Sequence, residues 1–168
     1  MQDLASIWDS ADPSGSLIKY AEALNEHARS AFLEAGTHVQ ILFLFKPEGL
    51  GGVLPVTGPV DREATAKALK QHIRDEGIYG VIHIAEAWAY LPKRKNDHTF
   101  KQIAQGEMRV TDLKKEDQSE VLMLYMSSRE GASRIWLHPI VRHGEKAELG
   151  EVIDTNAPAG GLFGRLFG

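Results

Sequence analysis

The stretch EVLMLYMSSREGASRIWLHPIVRHGEKAELGEVI, residues 120–153, decides the fold. It contains three runs rich in β-branched, aromatic and aliphatic residues: EVLMLYMS, SRIWLHPIVR and KAELGEVI. The connections between them, SREGA and HGE, are of hairpin length and each contains a glycine. A parallel crossover needs a dozen residues or more, so linkers this short impose antiparallel pairing. The C-terminal half therefore reads as an antiparallel meander.

Working outward from the meander, IYGVIHIAEAWAYL at 78–91 reads as a further long strand. Between it and the meander, residues 92–118 are polar, with one weak helical piece at HTFKQIAQG. Upstream, residues 38–46 carry the near-continuous apolar run VQILFLF, which marks a strand buried on both faces and hence central. KPEGLGG is turn material and VLPVTG a short strand. Pro55 inside it points to a sheet edge, because proline cannot donate to a ladder. Residues 14–35 form a long helix, with Leu17, Ile18, Ala21, Leu24, Ala28, Ala31 and Phe32 at helical spacing. Ser14 or Ser16 would cap its start and Gly36 its end. A second helix, DREATAKALKQHIRDEG, starts at the cap Asp61 and buries Ala64, Ala68, Leu69 and Ile73. The class that follows is α+β. A single domain spans residues 1–153, with a mostly antiparallel sheet of about five to six strands and two main helices on one face. Residues 154–168 form a flexible tail: DTNAPAGG resembles a linker, and an apolar LFGRLF end follows it.

The 168 residues, 43% hydrophobic and 25% charged, suffice for a core without disulfides or structural metals. A net charge of −4 argues against nucleic acid as a partner. Cysteine is absent, which removes disulfides, thiolate zinc sites and cysteine nucleophiles. No secretory signal pattern opens the chain, and no apolar run reaches the roughly 18 residues of a membrane span. The expectation is a cytoplasmic protein, not in the membrane.

Arg142-His143-Gly144-Glu145, after an apolar run, resembles the signature of the histidine phosphatase family, whose motif histidine becomes phosphorylated. That family places the motif on its first strand and draws a second histidine and a further arginine from the chain that follows. Here only 25 residues follow His143, with one arginine, Arg165, and no histidine. The same residues read as a hairpin turn with Gly144 at positive φ. In architecture alone, the order of elements also resembles sheet-plus-helix scaffolds of the roadblock or profilin kind. That resemblance implies a module that binds partners or ligands on its sheet.

Two surfaces stand out for function. On the 78–91 strand Glu86 shares a face with Trp88 and Tyr90, and His83 points to the other side. A carboxylate on an apolar face needs a partner, and Arg134 or Arg142 on a neighbouring strand would supply one. Trp136 and His138 share a face of the meander, so that these aromatics would form a binding patch. In the tail, Leu162, Phe163, Leu166 and Phe167 repeat at a spacing of four, as a docking peptide for a partner's groove does. Asp97, Asp112 and Lys114 echo an acidic-x-lysine nuclease motif but fall in a solvated polar stretch. The basic cluster PKRK, residues 92–95, lies there too. No histidine pair has metal-ligand spacing, so neither metal nor cofactor is expected. The reading is a non-enzymatic protein-interaction or scaffold module, a homodimer among its forms, that uses the sheet face and the tail. The alternative is a small enzyme or ligand-binding protein with a pocket around Glu86, joined by His83 or His138.

Overall fold

The structure, a computed structural model, describes residues 3–57, 61–156 and 166–167. Helix α1 spans Pro13–Ala35. Its cap is Asp12, whose carboxylate accepts from the Gly15 N–H, with Pro13 opening the first turn where no N–H is needed. Ser16 instead bonds the backbone of Asp9. Gly36 closes the helix at φ +75°, its N–H donating to the Phe32 carbonyl. Strands β1 (Gln40–Lys46) and β2 (Gly49–Val56) form a hairpin. Residues Gly49–Gly52, read as turn, thus belong to the strand, which has eight residues and starts four positions earlier than expected. Helix α2 (Arg62–Asp75) is capped by Asp61 as expected, and strand β3 is Gly80–Ala89. Helix α3 (His98–Ala104) precedes β4 (Ser119–Ser128) and β5 (Ser133–His143). The final run divides into β6 (Lys146–Leu149) and β7 (Ile153–Thr155), which both pair with β5.

The described residues confirm the α+β class. The sheet has the order β2-β1-β3-β4-β5-β6, every pair antiparallel, with β7 also on β5. Loops behave as their glycines require. The β5–β6 turn has two residues, with Gly144 first at φ +63°, which is the type II′ requirement.

The helices do not share one face. Successive β3 side chains point to opposite sides of the sheet, and both sides are covered. On the first face, Leu17, Tyr20, Ala21, Leu24, Ala28 and Phe32 of α1 pack on Phe45, Ile82, Ile84, Leu122, Leu124, Met126 and Trp136. On the second, Leu69 and Ile73 of α2 pack on Leu42, Leu44, Ile78 and Val81. Beside them, α3 supplies Phe100 to the cluster of Val121, Tyr125, Ile135 and Leu137. The expectation of two helices on one face fails because β1 and β3 carry apolar side chains on both faces of the sheet. That pattern requires two covered faces and does not say which helix goes where. In α2 the buried residues are Ala66, Leu69 and Ile73, whereas Ala64 and Ala68 are exposed.

Where α1 meets β3, the contact requires glycine. A Cβ on Gly80 would sit 2.6 Å from Leu17 Cδ2, and Leu17 is fully buried. Gly80→Ala should therefore lower unfolding stability by about 1–3 kcal/mol, the usual cost of overpacking. Urea denaturation would show this as a lower midpoint at unchanged slope.

Candidate functional site

The pleat of β3 and β5 sorts the residues singled out from the sequence. Trp136 is buried under α1, with the Arg134 guanidinium 4.4 Å from its ring centroid. Arg134 in turn forms a two-pronged bond to Asp154 at 2.9 and 2.7 Å and reaches Glu22 at 3.0 Å. It ties α1, β5 and β7 together and leaves Glu86 to another arginine. His138 is buried as well. Its Nε2–H donates to Asn25 Oδ1 of α1 at 2.8 Å, and burial, with the Arg29 charge nearby, pushes its pKa down to about 4. It is a neutral core histidine.

Tyr90 is buried too, donating to Asp97 at 2.8 Å. Asp97 also accepts from the Lys93 N–H and caps α3 through the N–H groups of Thr99 and Phe100. The Lys93 N–H, then the Tyr90 hydroxyl, hold its carboxyl below the usual carboxylate range. Asp97 is thus the anchor of the 90–104 segment, and Asp112 accepts from the Arg109 backbone. Lys93 pairs with Asp117 at 2.8 Å. His83 lies buried on the opposite face from Glu86, as its spacing predicts, and accepts from the Gln40 amide at 2.9 Å.

Glu86 and Trp88 are what the first face leaves open. Arg142 is their neighbour on β5. It grips Glu120 through Nε and Nη2, the shorter contact being 2.6 Å, and donates through Nη1 to the Gly36 carbonyl at the end of α1. Its Nη2 is also 3.7 Å from Glu86 Oε1. That distance makes an ion pair but no hydrogen bond, and Oε1 is buried without a hydrogen-bond partner. Trp88, opposite Glu120 in the register, is 62% exposed. Val39 precedes β1 and falls in line with Glu86 by continuation of the Ile41–Ile84 register; it is 61% exposed. The site is therefore an exposed corner: Trp88 and Val39 with a fringe of Glu86, Glu120 and Arg142.

A shallow depression of about 420 Å³ lies elsewhere, lined by Ile18, Met126, Ala132, Arg134 and Asn156. No group of three or more His, Asp and Glu side chains that could hold a metal occurs among the described residues. No described helix is long and apolar enough to cross a membrane. His143 sits exposed at the β5–β6 turn, 3.5 Å from Glu148, and Arg142 is occupied by carboxylates and a carbonyl, so no phosphate cradle forms there.

Of the tail, Leu162 and Phe163 lie outside the described residues. Leu166 is buried against Leu42, Leu44, Leu69, Ile73, Ile78 and Val81, with Phe167 packed beside it. The apolar end of the chain thus closes the cleft between α2 and the sheet. A helical spacing of four within the tail did not reveal this; the signal was the two-faced apolar pattern of β1 and β3, which left a cluster needing cover.

Two measurements follow. Leu166→Ala should lower stability by about 2–4 kcal/mol, as for other buried leucines, and urea denaturation reads it. His138 has its pKa lowered by folding, so its contribution is full above the unfolded value of about 6.5 and is lost as pH falls towards 4. Stability should drop over that window by on the order of 3 kcal/mol. His138→Gln should flatten the curve between pH 6.5 and 4 in denaturant titrations.

Comparison with protein-family models, with curated proteins and with solved structures gave no match.

Proposed function

We propose that this chain is a non-enzymatic protein-interaction module, working in the cytoplasm, whose contact surface is the corner around Trp88. The observation that carries the reading is a tryptophan 62% exposed on an ordered central strand. Monomeric proteins leave large apolar side chains out singly, but here the exposed Val39 stands on the same face, in line with Glu86, and charged side chains border the strand end. Tryptophan and arginine are the residues that dominate binding energy at interfaces, inside a polar rim. The Arg142–Glu120 fork holds the rim in place before any partner arrives, which lowers the ordering cost of binding. The tail contributes less to this surface than its sequence suggests, since Leu166 is committed to the chain's own core.

The alternative, a ligand-binding protein or small enzyme at Glu86, has one observation in its favour: the buried Glu86 Oε1 lacks a hydrogen-bond donor. A ligand with an N–H or O–H group would satisfy it. His83 and His138 take no part in that reading, since one lies across the sheet and the other under α1.

The test compares capture by the immobilised full-length chain, its Trp88→Ala variant and its Glu86→Gln variant from a lysate of the source cells. A protein retained by the wild type and lost with Trp88→Ala, at an unchanged circular dichroism spectrum, is the expected result. Equal retention by wild type and Trp88→Ala would sink the interaction reading. A small molecule carried by the wild type and lost with Glu86→Gln would establish the alternative.

A further inference from the structure

The two edges of the sheet are built differently. On the β6 side, Lys146 and Glu148 put charges on the outermost strand, and β6 is only four residues long. Short, charged edges resist pairing with other strands. On the β2 side, eight residues, GLGGVLPV, carry no charge at all. Three aliphatic side chains stand in solvent there: Leu50 at 46%, Val53 at 46% and Leu54 at 43%. Val53 lies opposite Phe43 on the α1 face, and Leu54 opposite Leu42 on the α2 face, so the edge is apolar on both sides.

Proline sets the phase of the backbone. Pro55 pairs with Ile41 yet has no N–H to give, so this pair is the non-hydrogen-bonded kind, with the Pro55 backbone facing outward. Val53, two residues away, is in the same phase and presents its N–H and carbonyl to solvent. Val53 is open, whereas Pro55 can accept a hydrogen bond from a neighbouring strand but cannot donate one, which removes one donor from each end of a two-fold ladder centred on Val53.

From this we infer that β2 pairs antiparallel with β2 of a second copy of this chain, across a two-fold axis at Val53. The sheet then runs continuously through both copies. In that register the two Val53 residues exchange their backbone hydrogen bonds and touch on the α1 face. Leu54 comes beside Gly52 of the second copy, where a side chain at the glycine would meet nothing within 4 Å, so there is room for it. An isologous contact must be complementary to itself. An edge without charge satisfies this, because no like charges are brought into register. Val56 falls opposite Leu50 of the second copy, so within β2 only uncharged residues face one another. Trp88 takes no part, so this pairing and the partner surface at Trp88 stand or fall separately.

Sedimentation of the full-length chain up to about 100 µM tests the inference, with a dimer as the expected state. Val53→Lys places two ammonium groups in register and should weaken self-association at least about a hundredfold. Val53 is exposed, so the variant should fold, and circular dichroism checks that. The chain has no cysteine, so Val53→Cys reports geometry directly. Mild oxidation should link two copies through it, whereas Glu63→Cys on α2 should not link. Trp88→Ala should leave the dimer intact. A wild type that stays monomeric at the highest concentration overturns the inference, even if the edge then accepts a foreign strand. So does a dimer unaffected by Val53→Lys.

Discussion

Strand β3 is apolar on both faces, and that alternation is the constraint on which the rest of the molecule depends. Ile82 and Ile84 go to α1, while Val81, His83 and Ala85 go to the other side. A strand with two apolar faces needs two covers, and the chain supplies them unequally. One long helix serves the first face. The second needs α2, α3 and the buried Leu166 near the end of the chain. This division gives Leu166 its place, since it packs with Leu69 and Ile73 of α2 over Leu42, Leu44 and Val81 of the sheet. A gap left there would forfeit close packing around it.

The polar groups within these layers serve the same end. Arg134 ties Glu22 of α1 to Asp154 of β7. His138 and Asn25 satisfy each other where α1 covers β5. Asp97 collects Tyr90 and three backbone N–H groups, holding the loop after β3 and starting α3. The Arg134 and His138 bonds each join side chains of different elements, which makes them statements about relative position. Asn96, just before Asp97, adopts φ +60°, a conformation that asparagine tolerates better than most residues.

Much of the fold was legible in the sequence, and the limits have physical causes. Linker lengths sufficed for the meander, since SREGA and HGE leave no room for a crossover. The caps at Gly36 and Asp61 and the edge position signalled by Pro55 followed from backbone chemistry local to those residues. The helix layers were not legible, because period-2 patterning gives two faces and attaches neither to a helix. The same gap governs the site. Glu86, Trp88, Tyr90, Trp136 and His138 were recognisable as polar or aromatic residues on apolar faces. Whether each was core or surface depended on where α1 lay. Three of the five proved to be buried, and Arg142, one of two arginines equally placed in sequence, proved to be the partner of Glu86.

The path of α1 explains why the open corner is where it is. The helix begins over β1 and β3, with Leu17 against Gly80 and the Tyr20 ring against Phe45 at 4.9 Å. Midway, Asn25 reaches His138 on β5. At its end, the Gly36 carbonyl accepts from Arg142, near the far end of β5. The helix therefore crosses the sheet diagonally, from the start of β3 towards the end of β5. A diagonal cover over a face of several strands must leave a corner bare, and the bare corner is the end of β3 with the approach to β1, where Trp88 and Val39 stand. Arg142 supports this outcome: by bonding the carbonyl of the capping Gly36 and the Glu120 carboxylate together, it ties the end of the helix to β5 and β4. The exposure of Trp88 is thus a consequence of how the core is covered, with the same arginine that completes the fold forming the charged rim of the surface the fold leaves open.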